Sequence, residues 1–390
     1  MTETLMTQPA PFRIDIAQAK LDRILARVRD YPWDALPDAG GWSHGTSLPF
    51  MRTLCAHWLD GYDWRAAEAK LNRLPQFKAD AGGIDLHFVH LKGVGPSPKP
   101  LVVTHGWPGS FFEFAQVAER LADPARFGGD PADSFDVVLP SMPGYGFSAR
   151  PSQPIGPRTV ARHIDALMTN VLGYGRYIAQ GGDWGGAVSG WLGFDHPACA
   201  AVHLNMVTAT AQTMTPETEA EKEWAAALSK TLEEEGAYRM LQATRPQTLS
   251  FAMADSPVGV AAWIVEKFAA WSDLPRGPDG APDLLARHSM DALLTNIMIY
   301  LVTDSFPTST WLYRGRHLDR PLRFPGRVAK PMGMAAFPDP CFKPPPRSFV
   351  EKGFDVIHWT VMPRGGHFAA LEEPDLFVED VRAFGRKLGW

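Results

Sequence analysis

YIAQGGDWGGAVSGWL, residues 177–192, is the most informative segment of this chain for the fold class. Its first four residues predict a short buried strand, and its last six predict a helix. Only GGDWGG, residues 181–186, separates the two elements, so the chain must turn very sharply. Glycines relieve the crowding of such a turn, which presents one side chain above the sheet. That side chain belongs to Asp183.

Asp183 is a candidate nucleophile. The esterase version of this turn carries serine, which a base must deprotonate, whereas a carboxylate attacks carbon directly. The alternative is that Asp183 caps the helix that follows, because aspartate is a preferred residue at a helix N-terminus. The position at the turn favours the nucleophile.

The segments on both sides of this turn repeat a pattern of apolar strand, glycine turn and helix. Such alternation indicates βαβ units and a mainly parallel central sheet. Helical signals replace strand signals over residues 211–321, which predicts a cap above the carboxyl ends of the strands, where open α/β sheets bind ligands. Further strands are predicted in LVVT (101–104), FDVVLP (135–140), AAVHLNMV (200–207), RVAKPMGMAAFP (327–338) and FDVIHWTV (354–361).

The N-terminal part precedes this pattern and is mainly helical. Apolar spacing predicts helices over residues 14–30, 50–59 and 64–74, and alternation predicts a strand over 84–90 with Asp85 and His87 on its polar face. The predicted divisions are an N-terminal segment wrapping the core (1–92), the first half of the core (93–210), the cap (211–321) and the second half of the core (322–390).

Composition limits the possible classes of protein. Among 390 residues, 45% are hydrophobic and 21% are charged, so a large core can form and global disorder is excluded. A net charge of -5 provides no basic surface for nucleic acid. The three cysteines, Cys55, Cys199 and Cys341, are too far apart to predict a disulfide framework or a zinc site.

The N-terminus, residues 1–15, has neither the basic nor the apolar region of a signal peptide. No stretch reaches the roughly 18 apolar residues of a membrane span. We therefore expect a reducing, cytoplasmic setting.

The motif HGWPGS, residues 105–110, follows the strand LVVT. In the α/β-hydrolase fold, a backbone N–H at this place and the N–H after the nucleophile form the oxyanion hole. The hole is therefore assigned to Trp107 and Trp184, whose rings can also bind substrate as walls of the pocket. Such a donor typically lowers the barrier by ~3–4 kcal/mol. The alternative is an ordinary tight turn.

The last predicted strand ends in a glycine turn that carries His367. The chain order nucleophile, acid, base places the base here, and the pKa of histidine suits a general base at neutral pH. The alternative is a histidine in a surface loop. His358, inside the strand, is predicted to be structural.

Taken together, the chain resembles the microsomal-type epoxide hydrolases over nearly its whole length. The resemblance implies an α/β-hydrolase fold with a mainly parallel central sheet, a helical cap inserted between its two halves and an N-terminal helical extension. It also implies an enzyme that opens an epoxide to a vicinal diol, with a detoxification role. The motifs that carry it are GGWSHGTS (40–47), YDWRAAEAKLNRLPQF (62–77), IDLHFVH (84–90), HGWPGS (105–110), GGDWG (181–185) and MPRGGHFAALEEP (362–374).

The resemblance implies two cap tyrosines that donate hydrogen bonds to the epoxide oxygen. GAYRMLQATRPQTLSFAMADSPVG gives Tyr238, and TNIMIYLVTDSFPTSTWLYRG gives Tyr313. Tyrosine suits this task because its pKa near 10 keeps it protonated at pH 7. Tyr300, in the second segment, is the alternative.

The acid that orients the base departs from the family pattern. The family places it two residues after the Phe-Pro that ends the sixth strand, where this chain has Pro340. Asp339 comes one residue early, and a proline-rich loop can be re-routed by one residue. We therefore predict Asp339 as the acid. Glu372 and Glu373, just after His367, are predicted to cap the last helix.

The implied reaction needs an epoxide and water, with no metal or organic cofactor, no nucleic acid partner and no membrane anchor. A monomer and a homodimer both stay open. A haloalkane dehalogenase would share the aspartate nucleophile, but the N-terminal segment and the cap tyrosines argue against it. A non-catalytic hydrolase-like binding protein is the alternative of another class, and only the displaced Asp339 supports it.

Overall fold

A central sheet of nine strands runs through the part of the chain that the computed structural model describes, residues 8–38, 40–207 and 210–389. The strands are β1 (Ala10–Phe12), β2 (Gln76–Asp80), β3 (Asp85–Leu91), β4 (Lys99–Thr104), β5 (Phe135–Pro140), β6 (Tyr177–Gly181), β7 (Cys199–Leu204), β8 (Val328–Ala336) and β9 (Phe354–Val361). Their order is β1-β2-β3-β5-β4-β6-β7-β8-β9. The pairs β1-β2, β2-β3 and β3-β5 are antiparallel, and the other five pairs are parallel. The predicted mainly parallel sheet is confirmed.

Helices connect the strands, and the long chain segment that joins β7 to β8 is mainly helical. In that interval the described residues contain helices and no strand of the sheet, as the sequence predicts for a cap. The divisions predicted at residues 92, 210 and 321 stay a prediction, and residues 1–7, 39, 208–209 and 390 within them lie outside the described residues. The helices are α1 (Gln18–Arg29), α2 (Leu48–Asp60), α3 (Trp64–Leu71), α4 (Ala115–Ala122), α5 (Pro157–Ala166), α6 (Asp183–Asp195), α7 (Glu219–Glu235), α8 (Ala237–Thr244), α9 (Pro246–Asp255), α10 (Pro257–Trp271), α11 (Met290–Val302), α12 (Phe306–Ser309), α13 (Trp311–Leu318), α14 (Arg347–Glu351), α15 (Ala369–Glu372) and α16 (Pro374–Lys387).

The first helix is shorter than its apolar spacing predicts. It begins at Gln18, four residues after the predicted start. The N–H of Ile14 donates to Asn72 Oδ1 at 2.8 Å, and the N–H of Ile16 donates to Glu68 Oε1 at 2.9 Å. Because these bonds tie the backbone to the end of α3, the segment before α1 stays extended. Its apolar side chains still face the core, which is why the spacing looked helical.

The antiparallel end of the sheet was predicted only in part. β3 lies where expected, but His87 is fully buried instead of lying on a polar face. Its ring nitrogens pair with Ser141 Oγ and Gln76 Oε1, both at 2.9 Å, so the second face of β3 is covered as well. β1 and β2 were missed because β1 has three residues and β2, QFKAD, is mostly polar.

The N-terminal part contacts the cap as well as the sheet. The Arg27 guanidinium donates to the Asp255 carbonyl at the end of α9. The Thr46 hydroxyl donates to the carbonyl of Ala262 in α10 at 2.7 Å. These contacts join the N-terminal part to cap helices α9 and α10.

The cap contains the most apolar helices, α10 and α11, and most of their residues are buried. Among the described residues, no single helix has both the length and the apolarity to cross a membrane. The helices α9 and α10 reach that limit only as a pair, with a bend of 119° between them.

Candidate active site

The turn between β6 and α6 has the strained geometry that its sequence predicts. Asp183 has a φ of 47°, a left-handed conformation that residues with a side chain rarely adopt. Gly182 occupies the N-cap position, and Asp183 is the first helical residue. A Cβ at Gly106 would overlap the Asp183 side chain, and a Cβ at Gly185 would overlap the Thr104 carbonyl. Glycine at these two positions therefore lets the turn fit against the end of β4.

The carboxylate of Asp183 is held by the two predicted backbone N–H groups. Trp107 N–H donates to Oδ1 at 2.9 Å, and Trp184 N–H also binds the carboxylate. The pKa of Asp183 is raised above its ordinary value, because the effect of burial exceeds the opposing effects of His367 and the two N–H groups. Gly182, not Asp183, is the N-cap residue of α6, and the Asp183 side chain reaches the turn after β4.

His367 lies between two carboxylates. Its Nδ1–H donates to Asp339 Oδ2 at 2.8 Å, and its Nε2 lies 3.6 Å from Asp183 Oδ2. The other oxygen of Asp339 accepts the N–H groups of Cys341 and Phe342, both at 2.8 Å. The proline-rich loop therefore wraps around Asp339, and an acid one residue early still reaches the histidine.

The charges around His367 change its basicity. Burial lowers its pKa, but the hydrogen bond to Asp339 and the negative charges of Asp339, Asp183 and Glu113 raise it more, to about 9. The imidazole is thus mostly protonated at neutral pH while Asp183 carries its charge. The pair behaves as a coupled unit, so a change at Asp183 alters the basicity of His367.

Glu373 occupies the N-cap position of α16 as predicted, but its side chain makes no capping hydrogen bond, and Glu372 belongs to α15, so the predicted capping by these side chains was wrong. No side chain caps α16. Glu372 instead accepts the N–H groups of Gly366 and Phe368, both at 2.9 Å, and that of Asp273 at 2.8 Å. Glu373 pairs with the guanidinium groups of Arg287 and Arg364. A carboxylate that looks local in sequence therefore holds the turn that carries His367.

The turn with His367 is also tied directly to cap helix α10. His367 N–H donates to the Trp271 carbonyl at 3.0 Å, and Gly365 N–H donates to Asp273 Oδ2 at 2.9 Å. The Trp271 ring lies 4.8 Å from the His367 ring. Sequence reasoning missed Trp271, since nothing in its local sequence separates it from the other tryptophans.

Tyr238 and Tyr313 are buried and lie together at the site. Their rings are 5.8 Å apart. Tyr238 stacks on Trp107 at 5.3 Å, and Tyr313 meets Trp184 edge-on at 4.8 Å. The Tyr313 hydroxyl is buried and makes no hydrogen bond of good geometry in the described part of the chain, where the Tyr238 hydroxyl and the Trp184 indole are its polar neighbours. Both hydroxyls are therefore in place for a ligand above the two tryptophans.

The alternative tyrosine has a different role. The Tyr300 hydroxyl donates to the Gly109 carbonyl at 2.6 Å and is fully engaged there. Burial raises the pKa of Tyr238 and Tyr313 well above 10, and the charge of Asp183 raises both further. These two phenols therefore stay protonated and can donate.

Comparison with known proteins identifies the family. Residues 9–114 match the model described as epoxide hydrolase N terminus, and residues 99–255 match alpha/beta hydrolase fold. A putative epoxide hydrolase of Stigmatella aurantiaca is 36% identical over 97% of this chain and 85% of its own length. The chain belongs to the epoxide hydrolase family. Epoxide hydrolase 1 of Sus scrofa is 32% identical over 96% of this chain and 88% of that protein.

Solved structures of the family show the same fold. Aspergillus niger epoxide hydrolase has a TM-score of 0.83 and 33% identity, covering 98% of this chain and 97% of that chain. The juvenile hormone epoxide hydrolase of the silkworm Bombyx mori has a TM-score of 0.84 and 27% identity, covering 98% and 96%. The predicted fold and epoxide hydrolase assignment are confirmed, and the comparisons favour neither the dehalogenase nor the non-catalytic alternative.

Proposed function

We propose that this epoxide hydrolase converts an apolar epoxide to a vicinal diol through an ester on Asp183. One observation carries the proposal. A single carboxylate, held by two backbone N–H groups, lies 3.6 Å from a histidine that is hydrogen-bonded to its acid partner, and two protonated tyrosines lie nearby. These are the groups that covalent opening of an epoxide needs.

The first half-reaction uses the cap. Tyr238 and Tyr313 donate hydrogen bonds to the epoxide oxygen and offset the charge that grows on it as the ring opens. Asp183 Oδ2, which Trp107 N–H leaves free, attacks one ring carbon. A carbon–oxygen bond of the ring breaks as the ester bond forms, and the ring oxygen takes a proton from one of the two tyrosine hydroxyls to become the first hydroxyl. Solvent then re-protonates that tyrosine.

The second half-reaction uses the core. His367, oriented by Asp339, takes a proton from water, and the hydroxide attacks the ester carbonyl. The N–H groups of Trp107 and Trp184 hold the oxyanion, as they hold the carboxylate in the resting enzyme. Collapse transfers the proton from His367 to the departing alkoxide and releases the diol. The carboxyl of Asp183 then loses the proton of the added hydroxide to solvent and is a carboxylate again.

The charge of Asp183 gives the sequence of steps a built-in order. It helps to keep the pKa of His367 at about 9 in the resting enzyme. Formation of the ester removes this charge, so the pKa of His367 falls and the imidazole becomes a base when hydrolysis needs one.

A cavity of about 660 Å³ supports an approach for the substrate between the N-terminal part and the cap. Tyr238 forms part of its wall, together with Trp42, Trp263, Lys267 and Cys341. The cytoplasmic location and the detoxification role predicted from the sequence belong to the same proposal.

The proposal is tested first at the nucleophile. Asp183→Asn should abolish steady diol formation from styrene oxide, because an amide is a poor nucleophile. Asp34→Asn makes the same change at a fully exposed carboxylate and should leave turnover unchanged. Diol formation by Asp183→Asn at the wild-type rate, without deamidation detectable by mass spectrometry, would contradict the proposal. Terpene and fatty-acid epoxides, with a haloalkane control, would then define the substrate range.

A further inference from the structure

Glu113 is a partly buried acid that the mechanism above does not use. It lies in the short helical turn Phe111–Phe114 that follows the motif HGWPGS. A Cβ at Gly109 would overlap Glu113 Oε1, so glycine at that position leaves the space that the carboxyl occupies. The Tyr300 hydroxyl fixes this stretch by binding the Gly109 carbonyl. The backbone is thus arranged to admit the carboxyl into the site.

A small cavity adjoins this carboxyl. Its volume is about 20 Å³, and Glu113, Thr104, Asp183 and His367 are among the residues that line it. A cavity of ~10–15 Å³ or more holds one water when two to four polar partners face it. The Thr104 hydroxyl is buried and has no hydrogen-bond partner in the described part of the chain. The cavity therefore has both the size and the polar lining for a single water.

The cavity touches the two groups that hydrolysis needs. It is bounded by the base, His367, and by the nucleophile, Asp183, whose ester carbonyl the water must attack. Glu113 is only partly buried, and it is one of the residues that line the cavity. A water here has the base and the carbonyl carbon as neighbours.

The protonation of Glu113 fits a place beside two other carboxylates. Burial raises its pKa to about 8, with His367 lowering it and Asp183 raising it. At neutral pH the group is thus mostly a neutral carboxyl, which both accepts and donates hydrogen bonds. A neutral carboxyl adds no repulsion to the nucleophile.

We propose that Glu113, together with Thr104, binds the water that His367 activates for hydrolysis of the ester. The carbonyl oxygen of Glu113 accepts one hydrogen of the water. The other hydrogen passes to His367 Nε2 as the oxygen attacks the ester carbonyl, and Glu113 keeps its own proton throughout. This inference rests on the proposed ester mechanism and adds a catalytic residue to its second half.

The experiment separates the two half-reactions in single turnovers. Styrene oxide is added to excess wild type, Glu113→Gln, Glu113→Leu and Thr104→Val, and intact-protein mass spectrometry follows the ester. In Glu113→Leu, alkylation should stay within about twofold, while hydrolysis slows roughly 10- to 100-fold, because the water loses its position. Glu113→Gln keeps a neutral acceptor and should lose less, and Thr104→Val should lose least.

Glu119→Gln is the matched control, because Glu119 lies on the next helix and is partly exposed, away from the cavity. Its half-reactions should both match wild type. Hydrolysis at the wild-type rate in Glu113→Leu, or an equal loss in both half-reactions of Glu113→Leu and Glu113→Gln, would overturn the inference. If instead neither wild type nor His367→Gln ever forms an ester, the proposed function itself fails and the inference fails with it.

Discussion

The core and the cap present their functional groups in different ways. In the core, Asp183 and His367 lie on tight glycine turns at the carboxyl ends of strands. In the cap, Tyr238 and Tyr313 lie within helices that look like any other amphipathic helix. A functional residue on a tight turn can be recognised from the glycines that the turn requires. A functional residue that is positioned by the packing of helices has no such local sequence pattern.

The largest difference between the two half-reactions is expected when His367, the general base in the core, is replaced. His367→Gln should leave ester formation in place and slow hydrolysis by about 10³- to 10⁴-fold, since a general base contributes up to this range. Intact-protein mass spectrometry after epoxide addition should show an increase equal to the substrate mass. Diol production at the wild-type rate with no such adduct would show that His367 is not the base.

Asp339→Asn tests whether the displaced acid belongs to the core machinery. The change should slow hydrolysis by about 10²- to 10⁴-fold, because the upper value is the loss for the equivalent change in a serine protease triad. Ester formation needs no base and should change little. Glu373→Gln, which alters only ion pairs with two arginines, serves as the control. Normal ester decay in Asp339→Asn would remove Asp339 from the triad.

Tyr238→Phe and Tyr313→Phe test the cap and should have the opposite signature. Each removes one donor to the epoxide oxygen and should slow ester formation by roughly 10²-fold, while hydrolysis of a formed ester is unchanged. Stopped-flow fluorescence of the adjacent tryptophans measures both rates. Tyr300→Phe should leave the rate of ester formation above that of either variant, because its hydroxyl binds the Gly109 carbonyl. If Tyr238→Phe or Tyr313→Phe slowed only the hydrolysis of the ester, the cap tyrosines would not act in ester formation.

A smaller effect is expected in the titration of His367. Its pKa is raised to about 9 while Asp183 is charged. Asp183→Asn removes that charge, so the pKa should fall, and the imidazole should lose its proton at lower pH than in the wild type. NMR of ¹⁵N-labelled histidine measures the shift, with Asp34→Asn as the control. An unchanged pKa of His367 would show that the charge of Asp183 does not affect it.

The smallest effect tests the connection between the two regions. Glu372→Gln weakens the hydrogen bonds to Asp273, Gly366 and Phe368, and should lower the free energy of unfolding by about 1–3 kcal/mol. Hydrolysis should slow more than ester formation, because the turn that carries His367 loses its support. Urea unfolding and the same single-turnover assay check both effects. Equal stability of Glu372→Gln and wild type would show that the cap and the core are joined by other contacts.

Sequence reasoning reached the core of the site because turns limit residue choice. The sharp turn at Asp183 needs glycine around it, and the strand end before Trp107 needs glycine for close approach. The prediction of Asp339 depended on the proline-rich loop being re-routed by one residue. The N–H groups of Cys341 and Phe342 donate to Asp339 and hold its carboxylate within reach of His367. The catalytic roles of these residues stay predictions.

The remaining parts depend on contacts between distant segments. Tyr238 and Tyr313 came from family resemblance, since spacing alone does not distinguish them from the other tyrosines. Glu372 precedes a helix and looked like its cap, yet its carboxylate turns back to three N–H groups. The sequence around Glu113 has no pattern that indicates a function. Its proposed role depends on the cavity that it lines with residues at the ends of β4 and β6 and with His367.

The bonds between α10 and the turn of His367 have a consequence for how the product leaves. A cap that swung open as one body would break three hydrogen bonds and pull the base away from Asp183. We therefore expect the cap to stay in place during turnover and the diol to leave past side chains, along gaps such as the one bounded by Trp42, Trp263 and Lys267. We then expect bulky diols to leave more slowly than small ones, since product release limits turnover in many enzymes.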